Sequence, residues 1–168
     1  MNLRCKKTSG FTLVEAILVI AILGIIAGIG ISSIVTASDA LSFLTVRSEV
    51  DQSADVAMAR MLSDMRRLKD NLSVNTANAS QFRFLDVDST DINYYLNGNN
   101  LMRNSNILAS NVASLAITYY DINGAQLNPP VAGIGTATDI YRIKIILTFQ
   151  GGVYTFSYQS QVGPRNLR

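Results

Sequence analysis

Glu15 is the residue whose chemistry most needs an explanation, because its carboxylate stands at the mouth of 23 uncharged residues, 16 to 38. A charge there is costly to hold in an apolar medium unless something neutralises it. Few other side chains offer chemistry. Histidine is absent and the single cysteine, Cys5, lies in the first ten residues, so residues 11 to 168 hold no His-based triad, no thiol nucleophile, no His/Cys zinc set and no intrachain disulfide. No nucleophile elbow or phosphate loop occurs either, so the expectation is a protein that is not an enzyme and carries no cofactor. Asp86, Asp88 and Asp91 supply the oxygen ligands that calcium prefers. Their spacing is not that of an EF-hand and there is no terminal glutamate, so ordinary turn acids are expected and no metal site is assigned.

The elements around Glu15 follow from length and charge. At 1.5 Å per residue, a helix over residues 16 to 38 is about 34 Å long, against about 30 Å for a hydrocarbon core. Arg4, Lys6 and Lys7 precede it without an acid among the first ten residues, a bias that places the N-terminus in the cytoplasm and the rest across the membrane. Two other readings stay open at this point. One is a secretory signal peptide cut near Val35-Thr36-Ala37, which would leave a start at Ser38; the other is a plain single-span anchor. The uncharged run exceeds the usual secretory length, and neither alternative accounts for Glu15.

The stretch Gly10-Phe11-Thr12-Leu13-Val14-Glu15, behind a basic leader, resembles the signal of type IV prepilins and pseudopilins over about the first forty residues. The resemblance implies that a prepilin peptidase cuts between Gly10 and Phe11 and that the new amine of Phe11 is methylated. It also implies that Glu15, five residues into the mature chain, recruits the subunit into a filament. Physics is consistent with that role. A helix N-terminus disfavours the Phe11 ammonium and favours a carboxylate, so Glu15 of the same or a neighbouring chain can neutralise it. A carboxylate snorkelling at the interface without a partner is the alternative. The implied partners are prepilin peptidase, other pilin or pseudopilin subunits packed through the N-terminal helix, and an inner-membrane assembly platform. Within the span, Gly24 and Gly28 have the Gly-x-x-x-Gly spacing that permits close helix contact in lipid, although glycine is also simply tolerated there. Residue 32 is serine where many major pilins carry a kinking proline, which predicts a straighter helix or one bent at the glycines.

The leader contributes most of the net charge. The whole chain is +2, but residues 11 to 168 carry 11 Lys plus Arg against 12 Asp plus Glu. Arg66, Arg67 and Lys69 form the one local basic cluster, read as a solvated helix face flanked by Asp64 and Asp70, and no nucleic acid partner is expected.

Beyond the span the pattern predicts an amphipathic helix over 39 to 72. Val50, Ala54, Met58, Met61, Met65, Leu68 and Leu72 recur every three or four residues, with Arg47, Asp51, Asp55, Arg60, Asp64 and Lys69 mostly opposite. Arg60 with Asp64, and Arg66 with Asp70, are spaced for i,i+4 pairing. Residues 71 to 80 read as helix stop and linker, followed by period-two strands near 81 to 87, 91 to 97 and 100 to 104, turned at Asn97-Gly98-Asn99-Asn100. A further strand runs from 112 to 121, and residues 128 to 138 form a loop. Tyr141, Ile143, Ile145, Leu147 and Phe149 then share a face before Gly151-Gly152 turns the chain into Tyr154, Phe156 and Tyr158. The expected fold is α+β and type IV pilin-like: a leader 1 to 10, an assembly helix 11 to 38 and a domain 39 to 168. In that domain the helix packs its methionine stripe on one antiparallel sheet spanning 81 to 162.

Tyr94 with Leu96, Leu101-Met102-Arg103, the Val112 to Gly124 strand and turn, and the ending Val162-Gly163-Pro164-Arg165-Asn166-Leu167 are similar to W-type minor pilins and J-type minor pseudopilins. That resemblance implies a non-enzymatic minor subunit of a type IV pilus or type II secretion pseudopilus, inserted once in the bacterial inner membrane with its C-terminal domain periplasmic. Glu15 departs from the outermost tip subunit of secretion pseudopili, which lacks the acid. A membrane-anchored extracytoplasmic adhesin, with a ligand at a sheet edge or at the 128 to 138 loop, is the alternative.

Overall fold

A computed structural model describes residues 10–129 and 140–165. The leader and most of the expected 128 to 138 loop, like residues 166 to 168 of the tail, lie outside the described residues. The chain divides into two compact units, Met1–Leu44 and Thr45–Arg168.

Helix α1, Leu13–Arg66, is a single 54-residue helix. Thr12 starts it. The Glu15 N–H lies 3.3 Å from the Thr12 hydroxyl oxygen and 3.1 Å from its carbonyl, and the Ala16 N–H also reaches that carbonyl at 3.1 Å. In the first unit its large apolar side chains from Leu13 to Leu41 are exposed, and the stretch is long and apolar enough to cross a membrane once. The hydroxyls of Ser32, Ser33, Thr36 and Ser42 each donate to a carbonyl one turn earlier, at 2.9 to 3.0 Å. This is how hydroxyl groups are satisfied inside a helix without neighbouring water.

In the second unit the stripe reads as expected through Leu68, with Val50, Ala54, Met58, Met61 and Met65 buried and Ala57 joining them. The helix ends at Arg66, six residues before the expected stop, and Leu72 is exposed. A tertiary contact ends it. The extended chain after Arg66 pairs with residues 85 to 87: the Lys69 N–H donates to the Leu85 carbonyl at 3.1 Å and the Val87 N–H to that of Arg67 at 2.9 Å. Asp70, expected to pair with Arg66, instead caps a 3-10 turn over Asn71–Ser73 by accepting the Ser73 N–H at 2.7 Å.

Among the described residues nine strands follow, in two antiparallel sheets where one was expected. β1 (Val74–Ala77), β2 (Gln81–Leu85), β3 (Asp91–Asn97), β4 (Asn100–Arg103) and β5 (Asn106–Ala109) lie in sequence order. β6 (Val112–Tyr120), β7 (Gln126–Leu127), β8 (Arg142–Gly151) and β9 (Tyr154–Val162) are arranged β7-β6-β8-β9. The division falls at Ser110-Asn111. Asn111 takes a left-handed φ of 60°, and β6 leaves the β5 edge to pair along eight positions with β8. Its backbone bonds to the first sheet's connections are single ones, Val112 N–H to the Asn99 carbonyl at 2.9 Å and Ile117 N–H to that of Ala79 at 2.7 Å. β1 occupies the expected linker, held by Val74 and Ala77 pairing with Phe84 and Phe82. β5 and β7 were not anticipated.

One core joins both sheets to the methionine stripe, with Phe82, Phe84 and Tyr94 from the first and Tyr119, Ile143, Ile145, Leu147 and Phe149 from the second. The Phe82 ring lies 4.9 Å from Phe84 and 5.7 Å from Tyr119, centroid to centroid. The layout of a long N-terminal helix followed by antiparallel sheets is the α+β, pilin-like arrangement.

The last hairpin turns one residue later than expected, at Gly152-Val153, where Gly152 has a φ of 62°. Gly151 is the buried end of β8. A Cβ there would lie 2.5 Å from Val46 Cγ1 and 3.4 Å from Val50 Cγ2, both on stiff branched side chains. Gly151→Ala is therefore expected to destabilise the domain by about 1–3 kcal/mol through overpacking. Thermal unfolding of the single variant and of Gly151→Ala with Val46→Ala checks this: a clash predicts that the second substitution recovers part of the loss.

Candidate functional site

The N-terminal site is built by the helix start itself. Thr12 at the cap and Glu15 three residues on have the Thr-x-x-Glu order of a capping box, and the structure shows its first half, the Thr12 oxygen accepting the Glu15 N–H. The sequence reading missed this, although the signal was present in the residue order. The cap fixes where the helix begins, and so places the Glu15 carboxylate in the first turn, where the helix dipole favours negative charge. Phe11 precedes the cap and is exposed, while Gly10 has no atom within 4 Å of where a Cβ would stand. Among the described residues Glu15 forms no ion pair. Gly24 and Gly28 lie one turn apart on one face of α1, likewise with nothing within 4 Å of a Cβ, and Ile20 and Ile31 on the same face are exposed.

The second unit holds a polar cluster around Asp64, which the helical pattern puts opposite the apolar stripe. Asp64 is buried. Its Oδ2 accepts the Tyr94 hydroxyl at 2.7 Å and the Arg103 Nε–H at 2.6 Å, while Arg60 Nε lies 3.4 Å from Oδ1, as the i,i+4 spacing predicts. Burial, and then the neighbouring Asp64, raise the Tyr94 hydroxyl well above the ordinary tyrosine range. Burial does the same for Tyr119, whose hydroxyl donates to the Asn78 carbonyl at 2.8 Å. Tyr158 is pushed up to about 12 by desolvation and by Asp51, which accepts its hydrogen bond. All three phenols stay protonated donors. They tie strands to the helix or to loops, and none is placed as an acid or base for a substrate.

Asp86, Asp88 and Asp91 are engaged by arginines. Asp86 accepts the N–H groups of Asp88 and Thr90, each at 2.9 Å, and lies 3.4 Å from Arg67, which also pairs with Asp88. Arg83 holds Asp91 in a two-pronged pair, with Nε at 3.0 Å and Nη2 at 2.6 Å. Among the described residues no three His, Cys, Asp or Glu side chains gather as a metal set. Arg66 and Arg67 border a cavity of about 400 Å³ with Arg165, whose N–H reaches the Arg66 carbonyl at 3.4 Å.

Residues 5–37 match the family model described as the prokaryotic N-terminal methylation motif. No curated protein matches the chain. The matched segment contains Gly10, Phe11, Glu15, Gly24 and Gly28, and it runs from the leader into the exposed apolar part of α1. The chain carries a prepilin signal of the type IV pilin and pseudopilin kind. Processing by prepilin peptidase and assembly with other pilin-like subunits are what that motif implies.

Proposed function

We propose that this protein is a minor pilin or minor pseudopilin, of the W or J type, that helps initiate or build a type IV pilus or type II secretion pseudopilus. It is a structural subunit rather than an enzyme. It inserts once in the bacterial inner membrane with residues 1 to 10 cytoplasmic and residues 39 to 168 periplasmic, is cut between Gly10 and Phe11, and is methylated on the Phe11 amine. Residues 11 to 38 then pack among other subunits. Lipid supplies no large hydrophobic drive for helix association, so close packing at Gly24 and Gly28 and the pairing of Glu15 with a Phe11 ammonium provide specificity.

The observation that carries this reading is the methylation motif lying across a capped helix start, with Glu15 held in the first turn of α1. Intact-mass and N-terminal peptide mass spectrometry of the membrane-extracted protein tests it. The expected mature chain begins at N-methylated Phe11. A chain beginning at Ser38, or one retaining residues 1 to 10, overturns the proposal.

A further inference from the structure

The β8–β9 hairpin ends in an apolar tip that the core does not use. Gly152 and Val153 make the turn, and the Val153 side chain is 90% exposed beside the exposed ring of Tyr154. Ile107, itself exposed, borders with Gly152 a cavity of about 530 Å³ between the tip, β5 and the second unit's part of α1. Among the described residues Glu49 is the one charged group on that border. The hairpin is also poor in charge. Residues 145 to 164 hold no Asp, Glu, Lys or Arg, the longest uncharged run outside 16 to 38. With 14 Lys plus Arg and 12 Asp plus Glu in 168 residues, a run of that length would hold about three. Burial does not account for the shortage. β9 is an edge strand whose Thr155, Ser157, Gln159 and Gln161 are exposed, and such edges are normally blunted by charge.

The chain itself decides what lies near this tip. Gly151, at its base, lies against Val46, and Val46 comes eight residues after Ser38, where the uncharged span ends. Eight residues reach at most about 29 Å even when fully extended, so the tip is kept within reach of the membrane surface. We propose that Val153 and Tyr154 insert into the lipid interface on the periplasmic side, as a second membrane contact besides the span. The inference rests on the reading of residues 11 to 38 as a membrane span. An aliphatic side chain gains by leaving water, and a tyrosine ring suits the interface, where its hydroxyl stays hydrated. The missing charges are the groups that would cost most to bring there. No basic residue accompanies the tip, so the contact is apolar and needs no anionic lipid. So small a contact is reversible, and it releases when the subunit leaves the bilayer for a filament.

The chain has no tryptophan, so single substitutions report depth without background. The full chain is reconstituted in phosphatidylcholine vesicles whose acyl chains carry bromine, a contact quencher of tryptophan, either near the headgroup or near the bilayer centre. Tyr154→Trp is expected to be quenched more by the shallow bromine than by the deep one, matching burial about 5–10 Å into the headgroup and acyl boundary. Gln159→Trp, five residues along β9 and so about 17 Å away, is expected to emit as tryptophan does in water. Adding Val153→Asp to Tyr154→Trp is expected to abolish the quenching and leave the melting temperature unchanged, since Val153 lies outside the core. Ile26→Trp, expected to be quenched most by the deep bromine, reports insertion of the span. An unquenched probe at position 154 beside a quenched one at 26 overturns the proposal and leaves the tip to a protein partner. Quenching that survives Val153→Asp, or that is as strong at position 159 as at 154, also overturns it. An unquenched probe at position 26 overturns the span reading instead, and the tip contact falls with it.

Discussion

Glu15→Ala is expected to leave cleavage at Gly10-Phe11 and membrane insertion intact while lowering incorporation into the filament by about a hundredfold to a few thousandfold. The size follows from what is lost. In the proposed mature chain, an ammonium on Phe11 at the start of a helix faces the positive end of the dipole, in a medium that screens charge poorly. Deleting one partner of a buried ion pair costs about 3–5 kcal/mol, since the other charge is left uncompensated, and every 1.4 kcal/mol is tenfold in an equilibrium. The capping box adds a rival cause, because losing Glu15 also removes an acidic residue from the helix start. Glu15→Gln separates the two, since glutamine serves a capping box as glutamate does but carries no charge. Pairing with Phe11 predicts that Gln fails nearly as badly as Ala when sheared filaments or crosslinked assemblies are probed for the subunit. If Gln assembles normally and Ala does not, the residue acts only on the helix start, and the charge pairing is wrong.

The N-terminal region was legible because a membrane constrains sequence so tightly: length, leader charge and one misplaced acid define the segment. Even there the Thr12 cap carries no charge or hydropathy signal and is marked only by the Thr-x-x-Glu order. The methionine stripe was legible from its period. Its end was not, because Arg66 to Asp70 is as compatible with helix as the turns before it, and the stop comes from pairing with Leu85 and Val87, far along the chain. The two sheets were hidden for a related reason. Alternation in β6 tells which side chains face inward but not whether the strand's neighbour is β5 or β8, so the period of two is silent about sheet membership. β5 follows a tight turn at Asn104-Ser105 and spans four residues, too few to show alternation. In the second unit the Arg60 pair of Asp64 was legible from its i,i+4 spacing, but the burial of Asp64 was not. Asp64 borders the apolar stripe, and its partners Tyr94 and Arg103 lie 30 and 39 residues away, beyond any local pattern.

That distance makes Asp64 the residue through which the helix is held to two strands, β3 by Tyr94 and β4 by Arg103. Asp64→Ala is expected to destabilise the domain by about 3 kcal/mol, the lower end of the range for breaking a buried pair. The lower end applies because the Arg103 side chain keeps 23% of its exposure, and water can reclaim part of its charge, whereas the Tyr94 hydroxyl is left buried without its acceptor. For a unit of this size the loss lowers the melting temperature by roughly 10 °C. Arg60→Ala supplies the contrast. That arginine pairs with the same carboxylate but its side chain is 52% exposed, so its removal is expected to cost no more than about 0.5 kcal/mol. Tyr94→Phe, which deletes one hydrogen bond and leaves Arg103 paired, falls between them at about 1 kcal/mol. Equal losses for Asp64→Ala and Arg60→Ala would place Asp64 in an ordinary surface pair and remove its role as the tie between helix and sheet. If the graded order holds, Asp64→Ala should still yield a correctly cut Phe11 terminus, because the processing residues lie in Met1–Leu44 and the network in Thr45–Arg168. The variant would then be processed normally and depleted by proteolysis of its unfolded domain, a phenotype opposite to that of Glu15→Gln, which folds its domain and fails to assemble.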